Sequence, residues 1–187
     1  MALEHRISEL DTYLFAKGTH YEIYEKMGAH LAEEDGKAGT YFSVWAPNAR
    51  CVSVVGDFNN WDRSAHPMQP VQQSGIWDIF VPGVKAGDLY KFAVETSQGY
   101  TVLKADPYGN QSQLRPDNAS VVADIRHFDW TDQAWRKEHQ EKKTESPMAI
   151  YEVHPGSWKK DPSMPGEFYN FKKLAVELAD YVLEMGY

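Results

Sequence analysis

The chain has 187 residues, enough for one or two domains, and a formal net charge of −8 at pH 7. An acidic chain with no basic run is a poor partner for nucleic acid or anionic membrane, while a neutral polymer stays compatible. No apolar stretch approaches the ~20 residues that span a bilayer, and Met1-Ala2-Leu3-Glu4-His5-Arg6 has no apolar secretory core.

Cys51 is the sole cysteine, so no intrachain disulfide forms and a reducing, cytoplasmic compartment is expected. It falls in a strand-like run and reads as a small apolar residue rather than a nucleophile. Aromatics make up 13% of the chain, with 6 Trp and 11 Tyr, a load that suits a β-rich fold.

Residues 1–38 form a mixed lead-in segment. Residues 7–15 have the makings of a short helix, Gly18-Thr19-His20 turns the chain, and Glu33-Glu34-Asp35-Gly36-Lys37 reads as a solvated turn. Residues 39–126 then run as short strands: 41–46 closed by Pro47-Asn48, 52–55, 76–81 closed by Pro82-Gly83, 89–95 and 120–125. In 89–95, Tyr90, Phe92 and Val94 share one face, and Lys91 and Glu95 take the other. Five or more strands at this spacing predict an immunoglobulin-like β-sandwich, mainly β in class. Trp45 and Trp77 lie within strands and are expected in its core.

Residues 127–147 form a linker, since the run from 136 to 145 is almost wholly polar and reads as a solvated helix or connection. Residues 148–187 change again. A compact strand over 148–153 leads to the loop His154-Pro155-Gly156-Ser157-Trp158. Phe171, Leu174, Leu178, Tyr181, Val182 and Met185 then recur at helical spacing, with Asn170 as N-cap and Gly186 as the C-terminal stop. A single strand–loop–helix unit cannot cover both faces of its strand, so the chain reads as a piece of a longer α/β protein.

The segment Gly56-Asp57-Phe58-Asn59-Asn60-Trp61 follows a β-branched strand with a polar turn that offers one flat aromatic. The apolar C–H face of a pyranose fits such a ring. A core plug or hairpin anchor is the plainer role for the same Trp61.

Taken together, these segments resemble the bacterial 1,4-α-glucan (glycogen) branching enzymes. Phe42-Ser43-Val44-Trp45-Ala46-Pro47-Asn48-Ala49 and the segment ending in Trp61 are similar to the family-48 carbohydrate-binding module, as are Lys104-Ala105-Asp106-Pro107-Tyr108 and Arg115-Pro116-Asp117-Asn118-Ala119-Ser120. Ile150-Tyr151-Glu152-Val153-His154-Pro155-Gly156-Ser157-Trp158 resembles the first barrel strand of the family-13 glycoside hydrolases. The resemblance implies a carbohydrate-binding β-sandwich followed by the first βα unit of a truncated (β/α)8 barrel.

It implies, for the parent protein, retaining transglycosylation that cuts α-1,4-glucan and forms α-1,6 branches. The catalytic carboxylates of that family lie on later barrel strands, and no residue here matches them. No catalytic residue, metal or cofactor is expected, and this chain alone is expected to be inactive. Its expected partners are α-1,4-glucans such as glycogen and amylose, together with the rest of the barrel. The resemblance points to Trp61 as a stacking residue, Lys91 as a hydroxyl-binding cation, Tyr100 in place of a second stacking Trp, and Asn118 as a polar contact in the final loop. For Lys91 a surface pair with Glu95 is the plain alternative. A purely structural sandwich, or a relative among the isoamylases or trehalohydrolases, are the competing readings.

Overall fold

In the computed structural model, residues 6–126, 128–140 and 147–187 are described, Gln140 by its backbone alone. They fall into two compact units, one ending at Phe128 and one starting at Asp129. The sequence readings at residues 1–5, 127 and 141–146 lie outside the described residues.

The first unit begins with α1 (Glu9–Ala16) and continues into nine strands: β1 (Gly28–Glu34), β2 (Lys37–Trp45), β3 (Ala49–Gly56), β4 (Gln69–Pro70), β5 (Ile76–Pro82), β6 (Leu89–Thr96), β7 (Thr101–Lys104), β8 (Gln111–Ser112) and β9 (Ser120–Val121). One sheet has the order β1-β2-β5-β4, the other β3-β6-β9-β8 with β7 also on β6. Every pairing is antiparallel. This is the predicted β-sandwich. It starts earlier than residue 39, because β1 pairs with β2 along its whole length, from Gly28 opposite Ser43 to Glu34 opposite Lys37. Asp35 and Gly36, with φ of 51° and 72°, make the tight turn between them.

Strand alternation sends Phe42 and Val44 of β2, Val52 and Val54 of β3, and Tyr90 and Phe92 of β6 into one core. The Phe42 and Tyr90 rings meet edge to face across the sheets, centroids 5.0 Å apart. The opposite face of β2 is buried too. Residues 6–27 cover it, with Ile7, Ile23 and Met27 packed against Val71 and Ile76. Polar contacts fix this extra layer: Arg6 N donates to Tyr41 Oη at 2.6 Å, and Ser43 Oγ donates to Lys26 O at 2.6 Å.

Two expectations need correcting. Trp45 is not in the core. It stands opposite Ile76 on the outer face of its sheet, at the strand's end, and is 52% exposed with its ring 5.9 Å from Phe15. Trp77, on the inner face, does pack on the core, and its Nε1 donates to Ala46 O at 3.1 Å. Cys51 lies in β3 but is exposed rather than packed. Its thiol donates to Glu95 Oε2 at 3.2 Å, and that bond, with some burial, raises its pKa.

The second unit holds α2 (Gln133–Gln140), α3 (Pro155–Trp158) and α4 (Phe171–Glu184). Asn170 caps α4, its Oδ1 accepting from Lys173 N at 3.0 Å, and Gly186 ends the helix with φ of 82°. Tyr151 lies across α4 with its ring 5.5 Å from that of Tyr181, and its hydroxyl accepts from Trp158 Nε1 at 3.0 Å. Residues 148–153 have no regular secondary structure, so the expected strand is not formed. A strand needs a neighbour for its amides and carbonyls, and within this unit the described residues provide none.

A polar hub ties α1 to the chain that follows it. Asp11 is buried, with Oδ1 2.8 Å from His20 Nε2 and Oδ2 bonded to Lys26 Nζ, Ser8 N and Ser8 Oγ. Burial alone would push this carboxyl up. The bonds from Lys26, Ser8 and His20 outweigh it and hold the group well below the usual carboxylate range. Asp11→Asn is therefore expected to cost about 1–3 kcal/mol at neutral pH. The folded pKa is depressed, so the stability it gives is complete above its unfolded value of about 3.9 and is lost as pH falls through the folded one. Urea melts across the acid range will show a flatter acid limb for Asp11→Asn. An identical limb in both proteins would remove Asp11 from this role.

Candidate functional site

The chain leaves β3 through a single 3-10 turn, Asp57–Asn59. Gly56 is extended there, and a Cβ on it would lie 2.1 Å from Leu89 O and 2.5 Å from the Phe58 ring. No side chain fits. Gly56 N donates to Asn59 Oδ1 at 2.9 Å, and Asn59 Nδ2 donates to Val54 O at 3.0 Å and to His66 Nδ1 at 2.8 Å. Burial pushes the His66 pKa down, which suits an imidazole that accepts this bond. Phe58 turns inward and stacks near Phe42, centroids 6.0 Å apart. Most of the motif thus builds the turn.

Trp61 is what the turn presents. Asn60 and Trp61 are both left-handed, with φ of 53° and 59°. Asn tolerates that conformation, but a bulky Trp does so only under constraint. Two bonds supply it: Trp61 N donates to Gly56 O at 2.9 Å, and Nε1 donates to Asp57 Oδ1 at 3.0 Å. The half-buried indole is thereby oriented outside the core. Asp57 was missed as a positioning residue, although its place four residues before Trp61 is a usable signal.

Lys91 leaves β6 opposite Val55, one position from the Gly56–Tyr90 pair. On its other side the sheet changes partner. Tyr90 still pairs with Ser120 of β9, whereas Phe92 pairs with Lys104 of β7. The loop between β7 and β9 leaves and returns at this break, and it carries Asn118. Lys91 Nζ donates to Asn118 Oδ1 across 27 residues of sequence. Glu95, the expected surface partner of Lys91, sits instead 3.3 Å from Arg50. Asn118 also helps line an open depression of about 800 Å3 with Ser112, Gln113 and Arg115.

The loop is anchored from below. Tyr90 Oη donates to Asp106 Oδ2 at 2.6 Å, Asp106 N donates to Ser120 Oγ at 2.9 Å, and Tyr108 N donates to Asp106 Oδ1 at 2.8 Å. Burial raises the Asp106 pKa against the pull of the Tyr90 and Tyr108 bonds, and burial with the nearby carboxylate raises that of Tyr90.

Trp61, Lys91 and Asn118 thus gather at one end of the second sheet. Tyr100 does not join them. Thr96 N donates to Tyr100 O at 2.9 Å in the β6–β7 hairpin, five positions along β6 from Lys91, or roughly 17 Å. Its register also puts it on the side of Val94, opposite to Lys91.

Residues 26–109 match the family model of carbohydrate-binding module 48, the isoamylase N-terminal domain. The chain is 51% identical over 180 residues to the 1,4-alpha-glucan branching enzyme GlgB of Protochlamydia amoebophila, covering 96% of this chain and 25% of that protein. With the same-named proteins of Marinobacter nauticus and Butyrivibrio fibrisolvens it shares 48% and 49%, each over 97% of its length. The sandwich matches the family-48 carbohydrate-binding module, and over nearly its whole length the chain is similar to proteins named GlgB. The chain spans about a quarter of the length of these relatives. Among solved structures, the pullulanase PulA of Klebsiella pneumoniae overlaps 61% of the chain and 10% of its own at 28% identity, with a TM-score of 0.44. Among the described residues no helix is long and apolar enough to cross a membrane.

Gly56→Ala is expected to destabilise the module by about 1–3 kcal/mol or more, because the added carbon meets a backbone carbonyl that no rotamer can move. Chemical denaturation measures it. A midpoint like that of the unchanged protein would mean that the turn shifts freely.

Proposed function

We propose that the module binds α-1,4-glucan at the end of the sheet where Trp61, Lys91 and Asn118 meet. The observation that carries this reading is the oriented, conformationally constrained Trp61, presented at the end of the sheet where Lys91 and Asn118 pair. A flat aromatic covers the apolar face of a glucose ring, and the amine and amide bond its hydroxyls. The similarity to proteins named 1,4-alpha-glucan branching enzymes supports a glucan as the polymer. The acidic net charge of −8 suits an uncharged ligand.

For the whole protein we propose retaining transfer of cut α-1,4 chains to 6-hydroxyl groups, in the cytoplasm, with residues 148–187 opening its catalytic barrel. Residues matching the catalytic carboxylates are absent from this sequence, so the chain alone is expected to leave amylose unbranched. Debranching and chain analysis after incubation tests that, and new α-1,6 linkages would overturn it.

The competing role for the sandwich is structural. Glycogen affinity electrophoresis separates the two. Trp61→Ala is expected to weaken glucan binding by roughly 1–2 kcal/mol, and Lys91→Ala by about 1 kcal/mol. Tyr100→Ala will have less effect than Trp61→Ala, since it lies away from the other three. Circular dichroism will confirm that each variant is folded. A folded Trp61→Ala protein with unchanged binding would leave the sandwich as a spacer.

A further inference from the structure

Outside this face, the described residues hold a cleft of about 350 Å3 beside β1, with basic groups from three stretches of the chain. β1 is an edge strand, and Ala29, His30 and Leu31 form one side of the cleft. Arg6 comes from the segment before α1, and Tyr24 and Glu25 from the 3-10 turn Ile23–Glu25. Arg126 comes from the chain after β9. All of these residues belong to the first unit.

Each basic group is held from behind. Arg6 lies over the Tyr41 ring, 5.7 Å from its centroid, and donates Nη2 to the main-chain oxygen of Glu25 at 3.1 Å. Asp124 Oδ1 accepts from Arg126 N at 3.0 Å and stands 3.6 Å from Arg126 Nε. His30 is half-buried, with Nε2 2.9 Å from Met27 O. A guanidinium has five N–H donors, so one or two such contacts leave part of each fork for a ligand.

The electrostatics agree with the geometry. Burial lowers the His30 pKa first, the fields of both Arg6 and Arg126 lower it further, and the carbonyls of Met27 and Tyr24 oppose this. Arg126 likewise lowers the Arg6 pKa, behind burial. The like charges therefore act on one another, and a dianion between them would relieve that repulsion. Glu25 and Asp124 are the carboxylates of the cleft: Asp124 Oδ1 stands 3.6 Å from Arg126 Nε, whereas Glu25 meets Arg6 through its main-chain oxygen.

We propose that this cleft binds a phosphate dianion, with Arg6 and Arg126 as forked donors and His30 beside them. Guanidinium forks match phosphate oxygens in two-point bonds. The Tyr24 ring, Leu31 and Ile125 give an apolar wall for whatever carries the phosphate, such as a sugar ring. The site does not depend on the glucan reading, and it lies at a different strand from Lys91.

The test titrates the full chain with inorganic phosphate, glucose 6-phosphate and glucose, followed by calorimetry and backbone-amide NMR. Saturable binding of a phosphate carrier, with shifts at residues 29–31 and 123–126 and none with glucose, supports the site. Tighter glucose 6-phosphate makes a sugar phosphate the source, and equal affinities make it the free ion. Arg126→Gln and Arg6→Gln should each weaken binding about tenfold. Glu25→Gln should strengthen it, because a repelling carboxylate is gone. Sulfate keeps its two charges in the acid range, so its affinity should rise as the pH falls below the ordinary imidazole value of about 6.5 and His30 gains a proton, and His30→Gln should abolish that slope. No saturable binding of either phosphate, or affinity unchanged in both arginine variants while they remain folded, overturns the proposal.

Discussion

The module depends on the burial of Tyr90. Its ring fills the space between the sheets against Phe42 and Phe92, with centroids 5.0 and 5.8 Å away, and it is wholly buried. A phenol there without a partner would cost a few kcal/mol. Asp106 supplies the partner at 2.6 Å, and is itself satisfied by the amide of Tyr108. The core therefore fixes the loop, because the residue that takes the hydroxyl lies outside the strands. Gly28 shows how tight the arrangement is. Its φ is 96°, and a Cβ there would come within 3.2 Å of both Asp106 and Tyr108.

The residues of the proposed glucan site follow from that anchor. β6 changes partner between Tyr90 and Phe92, and Lys91 sits at the break. The loop held by Asp106 returns through Asn118 to the same place, bringing an amide to the Lys91 amine. The turn after β3 reaches the same end of the sheet because Gly56 pairs with Tyr90. One buried tyrosine thus bears on both the loop that carries Asn118 and the turn that presents Trp61.

The opposite sheet solves a different problem. Its outer face carries Tyr41, Ser43 and Asp78, all buried, so bare apolar packing would not suffice. Residues 6–27 cover this face and bring polar partners with them. Arg6 and Lys26 bond Tyr41 and Ser43, and Tyr41 Oη donates to Asp78. The same covering segment carries Arg6 to the edge of β1, which is why the phosphate cleft is built of chain from both ends of the unit.

The sequence by itself determined the local structure. Alternation in 89–95 marked the buried face of β6, Asn170 and Gly186 marked the ends of α4, and the polar 33–37 stretch marked a turn. Those features depend on neighbours a few residues apart. The motif residues were legible too, but not the division of labour among them. Gly56, Phe58 and Asn59 build the turn, while the Trp61 indole is held outside the core by Asp57. Tertiary structure decided the rest. Trp45 and Trp77 look alike in sequence, and only sheet pairing put one outside and the other against the core. Residues 148–153 have strand composition but no neighbour to bond among the described residues of their unit, so composition could not make them a strand. Lys91 and Asn118 meet because a buried carboxylate folds the intervening loop back, a long-range contact that local pattern does not encode.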